Sequence, residues 1–164
     1  MNKIDLLKAL LFESVAKLYA NDYYLFTVRG MENACVSRII YYMQDMLYTD
    51  QRFAEWRNHN IDFEYNKSTD GLKVGFYYKK KYLKPDLVLH IRGTDKHNLM
   101  VVEFKKGCKS SDSDITKLRD LTHSYQRYKY VLGCAVSLKK QKVEYRFVQK
   151  GKEVESLFIQ EYIM

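Results

Sequence analysis

Two carboxylates and an amine stand out in the chain because their spacing lets them meet. Asp86 opens an apolar run, Leu87-Val88-Leu89-His90-Ile91, and Glu103 and Lys105 close another, Leu99-Met100-Val101-Val102-Glu103-Phe104-Lys105-Lys106. Between them lies a polar turn from Arg92 to Asn98 that contains Gly93. Runs rich in Val, Ile and Leu around a Gly-containing loop predict a β-hairpin. With the turn centred between Thr94 and Asp95, Asp86 falls opposite Glu103, and residues directly opposite in an antiparallel pair have Cβ atoms about 4.5–5.5 Å apart. Side chains alternate along a strand, so Glu103 and Lys105 share a face. The three groups then converge at the open end of the hairpin, where carboxylates hold a divalent cation and an amine orients a water beside it. Ordinary salt bridging is the bland reading of the trio, but it does not account for three charged groups closing two otherwise apolar strands.

Pro85-Asp86 followed by Glu103-Phe104-Lys105 resembles the PD-(D/E)xK signature of the restriction-endonuclease-like nuclease superfamily. The wider stretches Asp62–Asn66, Lys84–Gly93 and Asn98–Lys106 are similar to small bacterial and phage-type members of it, and the resemblance spans most of residues 20–135. It implies an α/β fold, a restriction-endonuclease-like sandwich with a mixed central sheet flanked by helices, here with an extra N-terminal helix. It also implies a metal-dependent nuclease that hydrolyses phosphodiester bonds, with DNA the expected polymer. Asp86 and Glu103 would bind Mg²⁺, with Mn²⁺ as a substitute and the Phe104 carbonyl as a further ligand, while Lys105 would position or deprotonate the attacking water. Members of the superfamily carry an acidic residue on the helix before the catalytic strands. Glu32 matches that position, as a further catalytic residue that holds a second ion or a metal-bound water. The alternative is a non-catalytic nucleic-acid-binding or assembly protein on the same fold, since a fold does not guarantee chemistry. A homodimer and a targeting protein partner are both compatible with the resemblance.

Composition bounds the rest. A chain of 164 residues reads as one domain with a respectable core. A hydrophobic content of 46%, with 15 Tyr and 8 Phe, excludes a disordered chain. The net charge of +8 suits a polyanion such as nucleic acid. Cys35, Cys108 and Cys134 are scattered without a CxxC spacing, so they predict reduced thiols in a cytoplasmic protein rather than a zinc site. No apolar run approaches the roughly 20 residues that span a bilayer, and Asp5 and Glu13 break the pattern of a signal peptide.

The remaining elements have to position the trio. Ile4, Leu7, Leu11, Val15 and Leu18 predict an amphipathic helix over residues 3–19. A second helix is expected from about Met31 to Tyr48, with Val36, Ile39, Ile40, Met43 and Leu47 inward. Glu32 lies four residues before Val36, in line with that stripe, where an unpaired charge is costly; the alternative is a helix-start Glu favoured by the macrodipole. Residues 50–58 read as a short helix or irregular segment, with Trp56 in the core rather than a base-stacking platform, and residues 61–66 as a half-buried strand with Asp62 and Glu64 on one face. Tyr77, Tyr78 and Tyr82 interleave with Lys79, Lys80, Lys81 and Lys84, and with Lys106 and Lys109 these lysines are the expected grip on phosphates. Ser111-Asp112-Ser113-Asp114 marks the start of a helix over about 114–128, with Ile115, Leu118, Leu121, Thr122 and Tyr125 inward and Lys117 elsewhere around it. Residues 130–138 then form an apolar strand parallel to the second hairpin strand. Residues 143–148 read as an edge strand, and residues 153–164 as a short closing helix or strand.

Overall fold

The computed structural model describes residues 1–78 and 81–162. A six-stranded mixed sheet divides the molecule, and its strands run in the order β1-β4-β5-β6-β7-β8. Helices cover both of its faces.

One face carries α1 (Lys3–Asn21) and α3 (Glu32–Thr49), joined by the single turn α2 (Tyr24–Thr27). α1 starts where the Asn2 side chain accepts the Asp5 N–H, and it buries Leu7, Leu10, Leu11, Val15 and Leu18 at helical spacing. α3 buries Cys35, Val36, Ile39, Met43 and Leu47 in the same way. A 3₁₀ turn (Gln51–Trp56) follows and puts Trp56 into this core with only 2% of its surface exposed.

The chain then enters the sheet through β1 (Asn60–Phe63), makes a small separate hairpin from β2 (Lys67–Ser68) and β3 (Gly71–Leu72), and returns as β4 (Leu87–His90) and β5 (Met100–Lys106). β1 and β5 flank β4, both antiparallel to it. After β5 comes α4 (Asp112–Thr122), which lies on the opposite face from α1 and α3, and then β6 (Leu132–Leu138), parallel to β5. A parallel return needs such a crossover, because a tight turn can only reverse the chain.

The pleat sorts the residues. Leu87, Leu89, Met100, Val102 and Phe104 pack under α1 and α3, whereas Val88, Val101 and Ala135 pack under α4. A two-residue period buried on both faces gives the near-continuous apolar runs seen in β5 and β6.

Three expectations need correction. The helix predicted to reach Tyr128 ends at Thr122, and Tyr125, expected inward, is 92% exposed. Tertiary contacts stop it: Thr122 Oγ1 bonds back to the Leu118 carbonyl and accepts the Gly151 N–H, while the buried Tyr128 hydroxyl accepts the Val74 N–H at 2.6 Å. β7 (Lys142–Gln149) is not an edge strand, because β8 (Lys152–Glu161) pairs along it and forms the edge itself. The strand placed at 61–66 is β1 and stops at Phe63, where Glu64 turns out with a φ of 50°. Among the described residues no helix is long and apolar enough to cross a membrane.

Candidate active site

The β4–β5 register pairs Leu87 with Val102 and Val88 with Val101, so one step further Asp86 stands opposite Glu103. Backbone bonds hold Asp86 there. Its carbonyl accepts the Glu64 N–H, and its Oδ2 accepts the Phe104 N–H at 2.7 Å. The carboxylate thus takes the place of a ladder carbonyl where β4 begins. The Phe104 ring points the other way, into the core under α1 and α3.

Glu103 is almost fully buried, on the α4 face of the sheet. Its Oε2 accepts a 2.6 Å bond from Lys117 of α4, a side chain only 17% exposed. Its Oε1 is buried and has no hydrogen-bond partner among the described residues. A buried carboxylate oxygen left unsatisfied is expensive. Lys105 lies on the same face, and its ammonium, like that of Lys117, is 3.9 Å from Asp114 Oδ1. Asp114 also closes the capping box at the start of α4, in which its Oδ2 accepts the Ser111 N–H and hydroxyl and its own N–H goes to the Ser111 hydroxyl.

The electrostatics follow from burial and from crowded like charges. Burial first, then the neighbouring Asp86, pushes the Glu103 carboxyl up to about 8, against the pull of Lys117. Asp86 is also raised, chiefly by burial, with the Phe104 N–H and the Lys105 and Lys117 charges opposing. Burial works against the Lys117 ammonium, yet Glu103, Asp114 and Asp86 outweigh it and raise Lys117 as well. All three groups hold their protons more tightly than usual. The cluster is short of positive charge, and a cation would relieve it as a proton does.

Glu32 reaches the same end of the sheet from the first turn of α3, where its Oε2 accepts the Lys106 N–H at 2.7 Å. It caps the last ladder position of β5 and adds a negative charge that Asp86 feels. Among the described residues no group of three His, Cys, Asp or Glu side chains is gathered closely enough to hold a metal ion by itself.

The predicted phosphate-gripping lysines are dispersed. Lys79 and Lys80 lie outside the described residues. Lys81 is exposed, and Lys84 is exposed and paired with Glu64 at 2.9 Å. The Lys106 ammonium donates to the Val28 carbonyl at 2.7 Å, which ties it to the loop before α3. Lys109 is exposed on the loop into α4.

Lys117 and Asp114 were not anticipated as parts of this cluster. A helical signal was there to be read: Lys117 lies three residues after Asp114 and four before Leu121, so it belongs to the stripe facing the sheet. Counting only apolar positions hides it. Comparison with known proteins adds nothing here, since no family model, no curated protein and no solved structure matches the chain.

Proposed function

We propose that the chain is a metal-dependent nuclease that hydrolyses phosphodiester bonds, with DNA the expected polymer, on a restriction-endonuclease-like fold. One observation carries the reading: Asp86 and Glu103 face each other at the end of a buried hairpin, and Glu103 Oε1 has no partner among the described residues. Hard carboxylate oxygens suit Mg²⁺ or Mn²⁺. Mg²⁺ commonly takes one or two carboxylates and fills its remaining positions with water and substrate phosphates, so a two-carboxylate site fits it. Asp86 and Glu103 would hold the ion, with the Phe104 carbonyl as a further donor. When bound, the ion supplies Lewis acidity and a more acidic water.

The chain's own residues do the rest. The Phe104 N–H fixes the Asp86 carboxylate. Lys117 fixes Glu103 Oε2, leaving Oε1 as the oxygen without a partner among the described residues. Lys105, a third exposed and held loosely by Asp114, is the amine able to swing toward a phosphate, orient a water and steady the developing negative charge. Glu32 anchors the end of β5, from which Lys105 projects.

A second reading has its own support. Lys117 already provides Glu103 with a cation, as in a non-catalytic nucleic-acid-binding or assembly protein whose site is sealed by an internal ion pair. Calorimetric titration of Mn²⁺ and Mg²⁺ into the wild type and Asp86→Ala, followed by a cleavage screen on single-stranded, duplex and branched DNA and RNA, separates the two. The nuclease reading expects binding that vanishes in the variant and metal-dependent cutting. Absence of metal binding to the wild type, with all substrates intact, would leave the sealed ion pair as the better account.

A further inference from the structure

Along α4, outward from Glu103, the surface changes character. Phe76, Tyr77, His123 and Tyr125 form a chain of rings with successive centroids 5.2, 5.8 and 5.3 Å apart. Three of the four are strongly exposed: Phe76 by 65%, Tyr77 by 53% and Tyr125 by 92%. Exposed aromatics at this density do not serve the core, and they come from two segments far apart in sequence.

Both segments are clamped. The buried Asp120 carboxylate accepts the N–H groups of Phe76, Tyr77 and Tyr78 at 3.1, 2.9 and 2.8 Å. At the other end the β7–β8 turn is tied to α4, with the Gly151 N–H donating to Thr122 Oγ1 and Arg119 to the Gly151 carbonyl. The His123 ring packs so closely on that turn that a Cβ at Gly151 would fall 2.4 Å from it. Asp120 thus holds Phe76 and Tyr77 in place, and the β7–β8 turn holds His123.

A hollow lies at each end of the row. One, of about 310 Å³, is lined by Tyr77, Tyr78, Lys81, Ser113 and Thr116, and is thus next in sequence to Asp114 and Lys117 of the candidate active site. The other, of about 450 Å³, lies between His123 and Tyr125 and the exposed Lys150 and Lys152.

We propose that this face binds single-stranded nucleic acid and feeds it toward Asp86 and Glu103. The inference rests on the reading that the chain acts on nucleic acid, and it names single strands as the substrate class. Rings stack on bases only when the bases are unpaired and splayed, whereas a duplex keeps its bases closed and offers phosphates alone. Lys81, Lys150 and Lys152 flank the rings where a backbone would run, and the net charge of +8 matches a polyanion.

Fluorescence anisotropy tests it, with labelled oligothymidine and oligouridine of about 12 nucleotides, a duplex of equal length as competitor, and EDTA present so that no metal takes part. The single strands should bind in preference to the duplex. Replacing Tyr77 and Tyr125 together by Ala should weaken binding about 30-fold or more, and replacing both by Phe, which keeps the rings, should not. Ala at Lys81, Lys150 and Lys152 should flatten the slope of log K against log salt by about 2. Equal competition by duplex, or wild-type affinity in a Tyr77→Ala/Tyr125→Ala protein with wild-type circular dichroism, overturns the proposal. Strand binding that persists without any Mg²⁺-dependent cleavage supports this face and overturns only the nuclease reading. Cleavage of single strands undiminished by the loss of both rings overturns this face and leaves the nuclease reading standing.

Discussion

Glu103 is the residue on which the proposed chemistry turns, and its environment makes it costly to the fold. An isolated glutamate ionises near 4.5, but burial and Asp86 raise this one to about 8. The folded chain therefore binds a proton that the unfolded chain gives up between these values. The stability that this group contributes is fully present below about pH 4.5 and is lost as pH rises through 8. Glu103→Gln cannot ionise and escapes that loss. It should match the wild type near pH 4.5 and be more stable by about 1–3 kcal/mol near pH 8.5, the gain being held down because Lys117 loses its charged partner. Thermal melts at the two pH values check this. A variant less stable than the wild type at both would mean that the Glu103–Lys117 pair stabilises the fold by more than its burial costs. Saturating Mn²⁺ should reverse the order by stabilising only the wild type.

At the scale of elements, the segment before β4 depends on α4 for its shape. Asp120 is fully buried and replaces a whole turn of backbone partners for Phe76, Tyr77 and Tyr78. Gly75 makes room for it, since a Cβ there would fall 2.7 Å from Asp120 Oδ2 and 2.8 Å from Tyr78 Cβ. Asp120→Ala strands three donors and should cost about 3 kcal/mol or more. Hydrogen exchange should show the loss of amide protection concentrated at residues 76–78, with α1 and α3 unchanged. Unaltered protection there would mean that the loop holds its shape without the carboxylate. Asp120→Asn keeps an acceptor for Phe76 and Tyr77 and should fall between the two.

Across the whole molecule, the two apolar cores share one sheet. Trp56 is buried under α1 and α3, while Tyr128 and Tyr130 are buried on the α4 face. β4, β5 and β6 contribute side chains to both cores, so neither core survives the loss of the other's strands. Urea unfolding followed by Trp56 fluorescence, by near-ultraviolet tyrosine signals and by backbone circular dichroism should give one coincident transition. A Trp56 midpoint separated from the backbone midpoint would show that the face under α1 and α3 unfolds independently.

Local chemistry was enough for much of this. The apolar runs that end in charged residues, Asp86 before Leu87 to His90 and Glu103 to Lys106 after Met100 to Val102, with a Gly-containing turn between, set a register that puts Asp86 opposite Glu103, because a slip of one residue would drive charged side chains into the core under α1 and α3. The helical stripes of α1 and α3 were likewise legible, since apolar spacing acts on a helix wherever it lies. What the sequence could not specify is which distant groups meet the hairpin. The Lys117 ammonium, the Glu32 bond to the Lys106 N–H and the Asp120 clamp are all contacts across many residues, decided by how the helices land on the sheet. Tertiary packing also ended α4 at Thr122, against a sequence that continues helically, and buries Tyr128 with its hydroxyl bonded to both backbone groups of Val74. It turned Tyr125 outward in the same step, and so placed beside His123 a ring that helical periodicity had assigned to the core.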